Sequence, residues 1–265
     1  FRVANRVYHL RTSSIARAFD AVHRLNGASG TTIHVVTMSM GGWPSEAWAT
    51  AVNQVYEDGT VIVTAAGNNI NGAPTYELVY PARFERVIAA TGVMANGKPY
   101  DDLGLGEMTG NYGPPSAMDS AIAAYTPDVP WISLDTPKGV TGGGGGTSSA
   151  TPQVAAAAAW WIRKHRAKYD AYKQGWQKVE AVRRALFDSA DASSRFSAEH
   201  FGRGTLKAAD ALAVEPAAAS SLKKSPEASA RFSLWHLLPD LFGIAGPADG
   251  RQRMIDLEAQ QLMMS

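Results

Sequence analysis

The chain has 265 residues, of which 45% are apolar, and its 25 basic and 24 acidic residues give a formal net charge of +1. This length and composition can bury one sizeable core, and a balanced charge without blocks of like charge gives no indication of nucleic-acid binding. The sequence contains no cysteine, which excludes disulfides, zinc–thiolate sites and a cysteine nucleophile. The longest apolar run, residues 154–162, is too short to cross a bilayer.

Strands and amphipathic helices alternate in the predicted structure of the first third of the chain. Apolar residues recur at helical spacing in 13–27 and again in 45–59, each behind a serine that can cap a helix and before a glycine that can end it. Apolar, β-branched runs that begin at Ile33 and Val61 predict buried strands. Residues 33–66 therefore predict a βαβ unit, which implies parallel strands and a site at their carboxyl ends.

The most informative segment is Gly-Thr-Ser-Ser-Ala-Thr-Pro at 146–152, which lies between a glycine run and the apolar stretch 154–162. This pattern predicts a serine, Ser148, at the start of a helix. The glycines allow a close approach of the backbone, and the N–H groups and positive dipole end of the helix point at the serine. Negative charge would develop there during acyl transfer, so Ser148 is a candidate nucleophile.

A second motif, Val-Ile-Val-Thr-Ala-Ala-Gly-Asn at 61–68, predicts a buried strand followed by the amide side chain of Asn68. The similar run that begins at Ile33 ends in Ser-Met-Gly-Gly at 39–42. A third apolar run, 87–93, follows Tyr-Pro-Ala at residues 80–82.

Taken in this order, the four segments resemble the subtilisin-like serine proteases, or subtilases, over roughly residues 1 to 214. The resemblance implies an α/β fold of three layers with a mostly parallel sheet, truncated at its N-terminus, and the activity of a serine endopeptidase. By the same resemblance Ser148 is the nucleophile and Asn68 is the side-chain donor of the oxyanion hole. The residues expected to bind substrate, of which the first three form the edge strand that pairs with its backbone, are Ser39, Met40, Gly41, Ala65, Ala66 and Gly67.

The motifs that carry the catalytic aspartate and histidine of the family are absent. Subtilases have Asp-Ser/Thr-Gly and His-Gly-Thr upstream of the oxyanion asparagine, but none of the six histidines here precedes Gly-Thr. The nearest aspartate motif, Asp-Thr-Pro at 135–137, lacks the glycine and follows Asn68. The opening residues 2–7 resemble a strand from the middle of the fold. We therefore expect a fragment of a longer protease that is inactive alone; the alternative is a non-catalytic, subtilase-like binding module.

The histidines of this chain are poor substitutes for the missing base. His165 is the nearest in sequence to Ser148, but at about 1.5 Å per residue the two would lie on the order of 25 Å apart along one helix. His34 lies in an apolar run, which is typical of a core histidine, and His9 and His23 are predicted to be solvated at the surface.

Two other interpretations of the serine motif are weaker. A phosphate-binding loop would end in Gly-Lys-Ser/Thr, which is missing here. The motif also approximates the nucleophile elbow of esterases, but that serine follows directly from a strand, and the glycines at 142–146 are poor strand formers.

The end of the chain predicts a domain boundary. After an amphipathic helix predicted at 179–186, Phe-Gly-Arg-Gly at 201–204 and the short helix predicted at 206–212 resemble the close of a subtilase domain, which should end near Val214. Residues 215–230 have the composition of a linker, and 231–265 form a predicted, partly helical appendage that packs on the domain or binds a partner or propeptide.

The partners implied by the resemblance are a polypeptide substrate and a propeptide or inhibitor. The chemistry requires no cofactor, and no ligands for a structural calcium can be identified in the sequence. The resemblance also favours a secreted or cell-envelope location.

Overall fold

The computed structural model describes residues 8–9, 13–28, 30, 32–42, 44–72, 75–101, 106–132 and 139–230. Several predictions made from sequence fall outside these residues, namely the opening strand at 2–7, the aspartate motif at 135–137 and the appendage at 231–265.

The described residues form strands and helices in alternation. The strands are β1 (Tyr8–His9), β2 (Val35–Met38), β3 (Gly41–Gly42), β4 (Val61–Ala65), β5 (Asn68–Ile70), β6 (Ile88–Val93), β7 (Met108–Gly110), β8 (Ala121–Tyr125), β9 (Val129–Ile132) and β10 (Val140–Gly144). The α-helices are α1 (Ser13–Gly27), α2 (Glu46–Glu57), α3 (Thr147–Lys164), α4 (Arg166–Asp170), α5 (Gly175–Asp188) and α6 (Ala208–Ala213). Shorter helical segments are two 3₁₀ turns, Pro115–Ser120 and Ala219–Ser221, and a π-helical turn, Ser197–Phe201.

A parallel sheet with the strand order β2-β4-β6-β8 forms the centre of the fold. In its register Val36 pairs with Ile62, and Ala90 pairs with both Ala65 and Ile122. Helix α2 connects β2 to β4, and the side chain of Ser45 accepts a hydrogen bond from a backbone N–H in its first turn, as expected of an N-cap. The predicted βαβ unit is therefore confirmed.

Helices cover both faces of the sheet. On one face α3 and α5 cover a core that includes Trp161, Val63 and Ile122. On the other face α1 and α2 bury a second core that includes Phe19 and Ile62. Because neighbouring residues of a strand point to opposite faces, Ile62 and Val63 contribute to different cores. The result is the predicted α/β fold of three layers.

The glycine run forms a strand, although the sequence predicts its glycines to be poor strand formers. Residues Val140–Gly144 form β10, which pairs with β9 in an antiparallel hairpin. Glycine weakens a strand mainly through the entropy lost on folding, and here the pairs of Val140 with Ile132 and Thr141 with Trp131 hold the hairpin together. The register shifts between Thr141 and Gly144, where the glycines begin. A strand thus does precede the serine helix, but it belongs to a hairpin rather than to the parallel sheet that an esterase elbow requires.

Packing continues beyond Val214, the predicted end of the domain. Residues 215–230, whose composition predicts a linker, lie against the helices, and the side chains of Leu222 and Ala228 are buried in the two cores.

Candidate active site

Ser148 is the second residue of α3, at the carboxyl edge of the central sheet. Gly146 precedes the helix with φ of 70° and ψ of 171°, a conformation that side chains rarely adopt. The backbone N–H of Ser148 is one of the first four N–H groups of the helix, which lack helical acceptors and lie at the positive end of its dipole. This is the position that the sequence predicts for Ser148.

Asn68 lies directly beside the start of this helix. The N–H of Thr147 donates to Oδ1 of Asn68 over 2.8 Å. Because Oδ1 accepts this bond, the side-chain amide has a defined orientation, and its Nδ2 group is left as a donor. The two residues that the resemblance pairs in an oxyanion hole, Ser148 and Asn68, are thus brought together across a long stretch of sequence. Their catalytic roles stay predictions.

The turn that carries Asn68 is locked to the serine helix by Thr147. The Thr147 hydroxyl donates to the carbonyl of Gly67 at 3.0 Å and accepts from the N–H of Gly67 at 3.2 Å. Gly67 has φ of 107°, and a Cβ atom there would lie 2.7 Å from Nδ2 of Asn111. Only glycine fits this turn without displacing its neighbours.

Two further side chains, for which sequence reasoning offered no signal, hold Gly146. Its N–H donates to the hydroxyl of Tyr100 at 3.3 Å, and its carbonyl accepts from the hydroxyl of Thr126 at 2.9 Å. Burial raises the pKa of Tyr100 above its ordinary value. Both residues are far from Gly146 in sequence and belong to no periodic pattern or motif.

The side chain of Ser39 also bonds to the backbone at Ser148. Its hydroxyl donates to the backbone carbonyl of Ser148 at 2.9 Å. Ser39 and Met40 connect β2 to β3, and Gly41 in β3 pairs in parallel with Tyr8 of β1. These three residues lie at the carboxyl edge, as expected, and their predicted pairing with substrate stays a prediction.

The other residues predicted to bind substrate lie at the end of β4, the strand next to β2. Ala65 is the last residue of β4, and both its side chain and that of Ala66 are buried. Of these three residues only Gly67 is not fully buried. The contact of substrate with these residues stays a prediction.

Two histidines near the core contact other residues and not Ser148. His165 follows the last residue of α3, the opposite end of the helix from Ser148, and its Nε2 lies 3.1 Å from the carbonyl of Leu212. This position confirms the distance argument. His34 is half-buried, with Nε2 3.0 Å from the guanidinium of Arg166, and burial together with that cation lowers its pKa.

Two more histidines form pairs with carboxylates elsewhere. His23, expected to be solvated, has a 45% exposed side chain whose Nδ1 lies 2.7 Å from Asp58. His200, in the π-helical turn, lies 3.2 Å from Asp101 and stacks on Tyr112. None of the four histidine side chains that the structure describes bonds to Ser148; His236 and the side chain of His9 lie outside the described residues.

Within the described part of the chain, no group of three or more histidine or acidic side chains is arranged to hold a metal ion. No helix in this part of the chain is both long enough and apolar enough to span a membrane.

Comparison with known proteins identifies the family. A model of the subtilase family, peptidase S8, matches residues 7–204 of this 265-residue chain. The chain belongs to the subtilase family. The match covers the serine motif and the Ala-Ala-Gly-Asn motif, so it includes both Ser148 and Asn68.

Solved structures of subtilisin-like proteases share the fold of this subtilase. The prenylagaramide maturation protease PagA has 22% sequence identity and a TM-score of 0.59, over 77% of this chain and 68% of that one. The S218A mutant of the protease domain of PatA has 22% identity and a TM-score of 0.59, over 79% of this chain and 66% of that one. The patellamide maturation protease PatA has 23% identity and a TM-score of 0.56, over 77% and 68%. This chain thus spans about two thirds of each.

Proposed function

We propose that this subtilase domain is part of a serine endopeptidase that hydrolyses polypeptides through an acyl-enzyme on Ser148. The observation that carries the proposal is the hydrogen bond from the Thr147 N–H to Oδ1 of Asn68. It holds an amide donor next to a serine at a helix N-terminus, which is the arrangement that acyl transfer needs.

In the proposed reaction the Ser148 hydroxyl attacks the peptide carbonyl, and the carbonyl oxygen gains negative charge. The Nδ2 group of Asn68 and the backbone N–H of Ser148 hold this oxyanion. Collapse of the intermediate releases the amine half of the substrate and leaves an acyl-serine, which water then hydrolyses. No cofactor takes part in these steps.

Proton transfer requires a histidine that a carboxylate orients. The sequence lacks both family motifs for these residues, and the described histidines have partners elsewhere. We therefore assign the base and its aspartate to an upstream segment of a longer protein. Serine at its ordinary pKa is a weak nucleophile, so residues 1–265 alone should be nearly inert.

The test of this assignment compares residues 1–265 with the longer protein. We expect no peptidase activity and only background labelling by a fluorophosphonate in the short chain, and stoichiometric labelling of Ser148 in the longer one. Labelling is measured at equal concentrations of soluble protein. Rapid labelling of the short chain would contradict the assignment of the base to an upstream segment. A longer protein that folds but neither labels nor cleaves would favour the non-catalytic binding module.

Gly146→Ala should impair the proposed activity although it removes no catalytic group. A Cβ atom at Gly146 would lie 3.0 Å from both polar atoms of the Asn68 amide, so the amide must move. Gly143→Ala is the matched control, because Gly143 has a similar φ of 82° but a Cβ atom there would have no neighbouring atom within 4 Å. Each variant places an alanine at a positive φ, which should cost on the order of 1–3 kcal/mol of stability through backbone strain.

We expect only Gly146→Ala to lower kcat of the longer protein, measured with a peptide substrate and corrected for folded fraction by thermal unfolding. Equal kcat values for the two variants would show that the amide position does not matter.

A further inference from the structure

Residues 222–230, here called the clasp, lie along α2. Their hydrogen bonds to residues of that helix show the direction in which the clasp runs. Ser225 meets the last turn of α2, where its N–H donates to the hydroxyl of Tyr56 at 3.0 Å. Further along, Ala228 meets Asn53, and the N–H of Ala230 donates to the carboxylate of Glu46, the first residue of the helix, at 3.2 Å. The clasp is therefore antiparallel to α2.

The domain holds the clasp mainly by its backbone. The side chain of Asn53 pairs with both polar groups of Ala228: Oδ1 accepts from the N–H and Nδ2 donates to the carbonyl, each at 2.9 Å. Nε of Arg86 lies 3.0 Å from the carbonyl of Pro226 and 3.3 Å from that of Ser225. Amide and guanidinium side chains that pair with consecutive peptide groups form a groove for an extended main chain.

The cation at the centre of the groove, Arg86, is buried. Arg86 is only 2% exposed, its guanidinium lies over the ring of Tyr56 and it contacts Glu57 at 3.1 Å. A buried cation needs acceptors, and the clasp carbonyls supply two of them. Removing the clasp would expose Arg86 or leave it without these acceptors.

Side chains of the clasp add anchors at several points. Leu222 and Ala228 are buried in the two cores, and the hydroxyl of Ser225 donates to Glu180 at 2.7 Å. Lys224 forms an ion pair of 2.7 Å with Glu57. The ion pair lies at the surface and adds little, whereas the buried anchors bind the clasp to both α2 and α5.

The direction of the clasp determines at which edge of the sheet Ala230 lies. Helix α2 follows β2 and returns to the start of β4, so its first residue, Glu46, lies at the carboxyl edge of the parallel sheet. This is the edge at which Asn68 and Ser148 lie. Since the clasp ends at Glu46, Ala230 lies at the same edge.

We propose that the clasp is an intramolecular peptide ligand of the groove formed by α2 and Arg86, and that these contacts fix Ala230 at the edge of the sheet that carries Ser148. The inference goes beyond the proposed function and does not depend on it, since the contacts of the clasp involve neither Ser148 nor Asn68.

Amide hydrogen exchange in residues 1–265 tests the main-chain recognition. Asn53→Ala removes both bonds to Ala228 and should lower the protection of the Ala228 amide roughly ten- to thirty-fold. Gln54→Ala is the control, because Gln54 is the next residue of the same helix, is exposed and makes no hydrogen bond to the clasp among those described. Equal protection in the two variants, or an unprotected Ala228 amide in the parent chain, would overturn the proposal.

Chemical cross-linking tests the direction, since the chain has no native cysteine to interfere. Helix α2 is about 15 Å long between its first and last turns at about 1.5 Å per residue. A short bis-maleimide should therefore join Ala47→Cys to Ala230→Cys within one chain and should not join Ala47→Cys to Lys224→Cys. Similar yields for the two pairs, or no cross-link in the first, would show that Ala230 is not anchored at this edge.

Discussion

Replacing Ser148 by alanine in the longer protein is expected to abolish hydrolysis of an unfolded polypeptide such as casein. The covalent intermediate needs the hydroxyl oxygen, and no neighbouring group can take its place at the start of α3. Because the Ser148 side chain is half-buried and only its backbone carbonyl bonds to Ser39, the variant should fold normally. Loss of activity at unchanged thermal stability would assign the effect to chemistry.

Ser149→Ala is the matched control for this substitution. The Ser149 hydroxyl is one residue further along the helix and donates to the carbonyl of Gly145 at 3.0 Å. We expect this variant to keep most of its casein hydrolysis and its fluorophosphonate labelling. If Ser148→Ala retains normal hydrolysis while Ser149→Ala loses it, the nucleophile has been assigned to the wrong serine.

Asn68→Ala should lower kcat of the longer protein by roughly a hundred- to a thousand-fold and change KM much less. The magnitude is that found when one donor is removed from the oxyanion hole of subtilisin. An interaction made only in the transition state affects kcat, whereas a loss of ground-state binding would raise KM at constant kcat. Initial rates over a range of peptide concentrations separate the two.

Asn68→Asp distinguishes donation to the oxyanion from positioning of the helix. A carboxylate can still accept the N–H of Thr147, which bonds to Oδ1 at 2.8 Å, but it has no N–H to donate. If Asn68 acts as the oxyanion donor, the aspartate variant should be at least as impaired as the alanine variant. Activity close to that of the unmodified protein would instead show that Asn68 only positions Thr147.

The main helices, the central parallel strands and the two motifs of the candidate site can be recognised in the sequence alone. Helical spacing predicts α1 and α2, and the apolar runs predict β2, β4 and β6, because burial on one face or on both imposes a local periodicity. Ser148 is a candidate nucleophile because its motif precedes a helix, whereas the role of Asn68 is implied only by the resemblance of the motifs to those of subtilases. Both motifs are short and local, so one sequence suffices to detect them.

The contacts that hold these residues in place are visible only in the folded chain. Tyr100 and Thr126 bond to Gly146, and Ser39 bonds to Ser148, across separations that leave no pattern in the sequence. The glycine strand β10 likewise depends on its pairing with β9 rather than on its own propensity.

The clasp gives the clearest example of this difference. The clasp, residues 222–230, lies within a segment whose composition predicts a linker, yet the groove binds its peptide groups at Pro226 and Ala228, and peptide groups are common to every sequence. Recognition of the main chain depends on Asn53 and Arg86, which lie far away in the sequence. The composition of a segment indicates how much apolar area its own side chains can bury. Which residues bind the segment depends on the tertiary structure.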